Sequence, residues 1–173
     1  MDPAARRSPD TGELLACFDR ALPEVYDYLL HRCHHQATAE DLTSETFVAA
    51  VQEVRSGSTA SVTVAWLIGI ARHKLVDHWR RVAREERKLV AVGLPREEDD
   101  SLDAIDPGLA RQVLSQLNTM QTAALTLRHV DGLSVPEVAR ALGRSVHATE
   151  TLLARARASF RRHYRALEGL NRD

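Results

Sequence analysis

The sequence predicts an all-α chain of two small helical domains joined by a flexible acidic linker, the C-terminal domain being a helix-turn-helix. Three observations carry this expectation. Helical periodicity persists through almost all of the 173 residues, with no convincing alternating strand. Residues 91–107, AVGLPREEDDSLDAIDP, gather Gly, two prolines and an acidic run, so helical order is expected to stop there. Residues 117–165 then carry the turn and capping signals of two crossing helices, the second with arginines on its solvent face.

Bulk numbers narrow the function classes. Hydrophobic residues make up 44% of the chain, enough for real cores, and the net charge of −1 gives no overall basic field. The charge is unevenly placed. Arg72, Lys74, Arg80, Arg81, Arg84, Arg87 and Lys88 form a basic block, and Glu97, Glu98, Asp99, Asp100, Asp103 and Asp106 form an acidic one. Two cysteines, Cys17 and Cys33, are too few for a disulfide framework. With no long apolar stretch and no signal-peptide pattern, a soluble cytoplasmic protein is expected. No Gly-rich phosphate loop, nucleophile–base set or paired carboxylates emerge, so neither an enzyme nor a cofactor is expected. His31, Cys33, His34 and His35 are compact in sequence, but adjacent ligands diverge around a helix and no second ligand pair follows at structural-zinc spacing; a surface or capping cluster is expected rather than a metal site.

Taken in order, the N-terminal half begins with two apolar-periodic segments, Glu13 to Leu22 and Glu24 to His34, separated at Pro23, where a helix would start or kink. Thr38 and Asp41 are spaced as a capping box ahead of LTSETFVAAVQEV, on which Thr43, Phe47, Ala50, Val51 and Val54 share a core face. The other face presents Asp41, Leu42, Glu45, Ala49 and Gln52, a strip suited either to solvent or to a partner's basic helix. After the connector SGSTASVT, the longest helix is predicted from about Val62 to Val90, burying Val64, Ile68, Ala71, Leu75, Trp79 and Val82. Opposite lie His73, Asp77, Arg80, Arg84 and Arg87, flanked by Arg72, Lys74 and Arg81, a row of cations for a phosphate backbone. Asp77 is also placed to pair with Arg80 or Arg81. Trp66 and Trp79 are assigned to the core, although stacking of Trp66 on an unpaired base is a real alternative.

The C-terminal half is the most informative. An apolar run including Ala124, Leu127 and Val130 ends at Gly132, and Ser134 with Glu137 supplies a capping box for a short helix from Val135, with Pro136 in its first turn and Val138, Ala141 and Leu142 inward. Gly143 is placed to take positive φ and Ser145 to cap the next helix. On that last helix Val146, Leu153, Ala156, Phe160 and Tyr164 form the inner side, and His147, Ala148, Thr151, Arg155 and Arg162 the outer. A second helix presented in this way enters the major groove, so His147, Ala148, Glu150 and Thr151 are the candidate base-reading residues.

The segments AEDLTSETFVAAV, AWLIGIARHKLVDHWRR and LSVPEVARALGRSVHATETLLARARASFRR, in this order around an acidic linker, resemble the extracytoplasmic-function sigma factors of bacterial RNA polymerase. The resemblance covers nearly the whole chain. It implies a transcription initiation factor: residues 10–91 as sigma domain two, which docks on the β′ clamp helices and opens the minus-ten element; 92–106 as the linker; and 107–168 as sigma domain four, which reads minus-thirty-five DNA. Core polymerase (β′ and β subunits), promoter DNA and an anti-sigma factor are the implied partners, with no membrane and a monomer when free. Polymerase binding is implied for Asp41, Leu42, Glu45, Thr46 and Gln52, although periodicity makes the matching Phe47 core. Minus-ten contacts are implied for Ser58, Thr59 and Ser61 of the connector and for Arg72, His73, Lys74, Asp77, Arg80, Arg81 and Arg84. Minus-thirty-five contacts are implied for Arg144, Ser145, His147, Ala148, Glu150, Thr151, Arg155, Arg157 and Arg162.

Departures from the family pattern are informative. His73 stands where Asn is usual, and Glu150 and Leu152 stand where Lys or Arg is common. Glu150 beside DNA either repels phosphate or accepts a hydrogen bond from cytosine N4, so an atypical minus-thirty-five preference is expected. The acidic linker is either passive or occupies a basic channel. The rival reading is a stand-alone dimeric helix-turn-helix regulator binding a palindrome, which leaves the basic helix of the N-terminal half unexplained.

Overall fold

The computed structural model describes residues 11–33, 35–58, 61–86 and 105–170, all helix or short connection with no strand among them. The helices are α1 (Thr11–Cys33), α2 (Gln36–Arg55), α3 (Val64–Glu86), α4 (Pro107–Gln116), α5 (Thr119–Leu125), α6 (Val135–Leu142) and α7 (Val146–Leu170). A π-helical turn, Thr126–Val130, continues α5. The chain divides into two compact units, 1–75 and 76–173, with the boundary inside α3. The acidic block lies outside the described residues except for Asp106, as do Thr59, Arg87, Lys88 and His34.

In the first unit α1 packs on α2. Leu14, Cys17, Ala21, Val25 and Leu29 make the buried side of α1, and Ala39, Leu42, Thr43, Thr46, Ala50 and Val54 that of α2. Phe18 and Phe47 meet across them with ring centroids 4.8 Å apart. The expected break at Pro23 does not occur, for α1 runs through it. Pro23 lies on the exposed side between Ala21 and Val25, both fully buried, and packing on either side holds one helix despite the lost backbone donor. Nor does Thr38 start α2. That helix begins one turn earlier, at Gln36 after an extended His35, so Thr38 and Asp41 are interior helical positions and cap nothing.

Helix α3 starts where Thr63 caps it, its Oγ1 accepting from the Trp66 amide at 3.1 Å. Of the expected buried stripe, Ala71, Leu75 and Trp79 are buried and Val64, Ile68 and Val82 are half-buried. Leu67, Ile70, Val76 and Ala83 complete the buried side. The stripe is therefore wider than an i, i+3, i+4 count from Val64 suggested. Trp66 is half-buried.

The second unit is organised by α7, against which α4, α5 and α6 all pack. Helix α4 was not marked by periodicity, although its start is a plain cap: Asp106 Oδ1 accepts from Leu109 N at 2.7 Å and Pro107 occupies the first turn. Val113, Met120, Ala123, Ala124, Leu127, Val138, Leu142, Leu153, Ala156 and Tyr164 are buried together in this unit. Val146, expected on the inner side, is 44% exposed, and Val130 of the apolar run is 58% exposed. The π-helical turn swings Val130 outward, and the first residue of α7 precedes the point where that helix meets the core; Thr149, fully buried, fills the position instead.

Leu153 is fully buried at the centre of this packing, so Leu153→Ala should lower the unfolding free energy of the full chain by about 2–5 kcal/mol, as read by urea denaturation. A loss below about 1 kcal/mol would show that α7 is not the packing hub.

Candidate nucleic-acid interface

The C-terminal site is built on two caps and one left-handed residue. Ser134 and Glu137 close the capping box: the Ser134 amide donates to Glu137 Oε2 at 2.8 Å, and the Ser134 hydroxyl lies 2.6 Å from the same oxygen. At the other end of α6, Gly143 has φ +64°, which lets its amide reach the Arg140 carbonyl at 3.2 Å and the Arg144 amide reach that of Ala139 at 2.9 Å. Any residue with a Cβ is strained there. Ser145 then caps α7, its Oγ accepting from Ala148 N at 3.2 Å and its carbonyl from the buried Thr149 hydroxyl at 2.9 Å. These bonds fix the direction in which α7 leaves the turn.

The outer face of α7 carries what the sequence predicted. His147 and Glu150 are exposed and one turn apart, with Nδ1 and Oε2 3.9 Å from each other. Thr151 spends its hydroxyl proton on the His147 carbonyl at 3.1 Å, leaving a methyl and a lone pair outward. Ala148 and Arg155 are half-exposed, Arg162 is exposed, and Ser145 and Arg144 lie in the turn. Arg157 is placed apart. Six residues after Thr151, about 240° around the helix, it approaches the π-helical turn, where burial and then the charges of Arg157 and Arg128 lower the pKa of His129. Arg128 itself donates to the Leu133 carbonyl at 2.9 Å, bracing the loop that precedes α6.

On α3 the predicted cations are present but several are already engaged. Arg72 donates from Nε to Tyr28 Oη at 3.4 Å, and Tyr28 is covered by the Arg32 guanidinium 3.7 Å from its ring centre. Lys74 lies 3.8 Å from Glu45 of α2. Asp77 pairs with Arg80 at 3.3 Å, as its i, i+3 spacing suggested. Arg84 donates to the Arg80 carbonyl at 3.2 Å, Arg81 lies 3.3 Å from His78, and His73 is exposed. Ser58 and Ser61 are exposed on the connector, Ser58 sharing a 2.6 Å hydrogen bond with Ser56.

The outward strip of α2 differs from the expected one. Asp41, Glu45 and Gln52 are exposed, but Leu42 and Thr46 are buried, Thr46 donating to the Leu42 carbonyl at 2.7 Å. They support the strip from beneath. Val48, 58% exposed, takes the place between Glu45 and Gln52, and the spacing 41, 45, 48, 52 is the signal that would have found it. Among the described residues no group of His, Cys, Asp and Glu is arranged to hold a metal ion, and no helix is long and apolar enough to cross a membrane. Burial raises the pKa of the Cys33 thiol, whose Sγ is 3.5 Å from the His35 carbonyl.

Comparison with known proteins places these elements in one family pattern. Residues 17–85 match the model for Sigma-70 region 2 and residues 108–160 that for Sigma-70, region 4. The chain is 35% identical over 146 residues to the ECF RNA polymerase sigma factor BldN of Streptomyces coelicolor, a match covering 80% of this chain and 55% of BldN, so that it spans about half of that relative. It is 31% identical to the RNA polymerase sigma factor YlaC of Bacillus subtilis, over 81% of this chain and 85% of YlaC. It is 32% identical to the ECF RNA polymerase sigma factor SigC of Mycobacterium tuberculosis, over 84% and 80%. Among solved structures, the sigma factor RpoE from Bartonella quintana, crystallised with the anti-sigma factor NepR, shares the fold with a TM-score of 0.54 at 20% identity, covering 90% of this chain and 98% of that one.

The lowered pKa of His129 has a stability consequence. Its folded form holds the proton less well than the unfolded chain does, so this group's contribution is intact above about pH 6.5 and is lost as pH falls below that value. Arg157→Gln should raise the His129 pKa in an NMR titration and flatten that acid-side loss; an unchanged titration would mean that Arg157 does not face it.

Proposed function

This chain belongs to the extracytoplasmic-function sigma factors of bacterial RNA polymerase, and from that premise we propose how it selects promoters. Residues 10–91 act as sigma domain two and 107–168 as sigma domain four, with 92–106 as the tether. The outward strip of α2, Asp41, Glu45, Val48 and Gln52, docks on the β′ clamp helices, with an apolar contact at its middle and carboxylates toward basic partners. Domain four also meets the β subunit. The observation that carries the reading is the open N-terminal face of α7 behind the Gly143 turn, with arginines further along the same side.

Ser145, His147, Ala148, Glu150 and Thr151 meet base edges of the minus-thirty-five element, and Arg144, Arg155 and Arg162 meet phosphates, while Arg157 faces His129 instead. On α3, Arg72, His73, Lys74, Asp77, Arg80, Arg81 and Arg84 hold the minus-ten strand while Ser58, Thr59 and Ser61 receive an extruded base. Unstacking a base costs on the order of a few kcal/mol, which the phosphate contacts offset only once polymerase holds both domains on the promoter. The Glu45–Lys74 pair is a weak surface pair, about 1 kcal/mol at most, so it opens readily when phosphate or polymerase competes. Free chain is monomeric and cytoplasmic, binds duplex poorly, and is held inactive by an anti-sigma factor that covers the two DNA surfaces. Isolation from cells with polymerase as the sole partner under every condition would contradict that last step.

Run-off transcription on a genomic fragment library, with core polymerase and this chain, should give new starts that share one two-part motif upstream. Tight binding of the chain alone to a palindrome, with no new starts, would assign it instead as a stand-alone dimeric regulator.

A further inference from the structure

Glu150 is an anomaly on a face built for a polyanion. It is an exposed carboxylate in the second turn of α7, on a helix whose outward side also carries Arg155 and Arg162. Facing phosphate, it would weaken the contacts those arginines make. The ionisable side chain nearest it among the described residues is His147, one turn earlier, with Nδ1 3.9 Å from Oε2. Both side chains are open, 92% and 59% exposed, so among the described residues the carboxylate is free to turn toward a partner. Thr151, next to it, has its hydroxyl proton committed to the His147 carbonyl and offers no competing donor.

We propose that Glu150 is a specificity determinant, reading a cytosine in the minus-thirty-five element by accepting a hydrogen bond from its N4 amino group. This rests on the promoter-recognition reading above and deepens it. In the major groove only cytosine N4 and adenine N6 donate to a carboxylate, and adenine sets its N7 acceptor beside that donor, where it repels the second carboxylate oxygen. Cytosine sets a C5 hydrogen there, so the carboxylate selects it. The same position discriminates by charge: guanine, with two acceptors, is the base it rejects most strongly.

The test is run-off transcription with the holoenzyme on a promoter library randomised through the minus-thirty-five element. It compares the natural chain with Glu150→Gln and Glu150→Lys. The natural chain should favour cytosine about tenfold at one position. Glu150→Gln should move that position toward adenine, the base a side-chain amide pairs in two places, and Glu150→Lys toward guanine, with the other positions unchanged. Variants that shift activity by the same factor on every sequence, or a natural motif with no cytosine preference, would overturn the proposal while leaving promoter recognition intact. Failure of the natural chain to start transcription anywhere would overturn both.

Discussion

Helix α7 must bury one side and expose the other over the same turns, and the rest of the C-terminal unit answers to that constraint. Leu153, Ala156 and Tyr164 close the core against α4, α5 and α6, while His147, Glu150 and Thr151 remain outside. A helix held at its centre by fully buried side chains cannot roll without opening cavities, so the outward residues keep their bearing. The Tyr164 hydroxyl accepts from the Asp106 amide at 2.9 Å, tying the far end of α7 to the start of α4. Gln121 reaches Ser159 at 3.3 Å midway. The turn positions one end of α7, and the core holds its middle.

The turn matters because it converts local chemistry into orientation. A left-handed glycine and two paired amides end α6, and a serine begins α7 two residues later. With so short a connection the crossing of the two helices is set by backbone hydrogen bonds. The same economy governs the loop before α6, where the π-helical turn, Gly132 at φ +70° and the Arg128–Leu133 bond settle the path between Val130 and Ser134. In the first unit the corresponding support is side-chain packing: Leu42 and Thr46 lie beneath the strip that Asp41, Glu45 and Gln52 present.

What was legible in the sequence follows from which interactions are local. The Ser134–Glu137 box, Gly143 and Ser145 act over three or four residues, so their spacing predicted geometry that the structure bears out. Thr38 and Asp41 have box spacing too, but α2 starts a turn earlier, at Gln36, so both are interior positions. Pro23 reads locally as a break and is overruled by Ala21, Val25 and Leu29 packing on α2. Leu42 reads as outward because the expected core face sits roughly a sixth of a turn off, although Thr43, Ala50 and Val54 on it are buried; Thr46 is implied by the resemblance alone, and only the partner helix decides which side is in. Engagement of Arg72 by Tyr28, 44 residues away, and of Lys74 by Glu45 is tertiary and left no trace in spacing. Asp106 and Pro107 did carry a local signal for α4, hidden in the reading of an acidic linker.

On the proposed reading, the outward face of α7 lies in promoter DNA within the polymerase complex. Site-specific photocrosslinking tests it directly, with a benzophenone side chain at Ala148 on that face or at Ser115, exposed on α4. The probe at 148 should crosslink to one short DNA segment upstream of the start while the probe at 115 should not. Crosslinks from 115 to that segment, with none from 148, would contradict it.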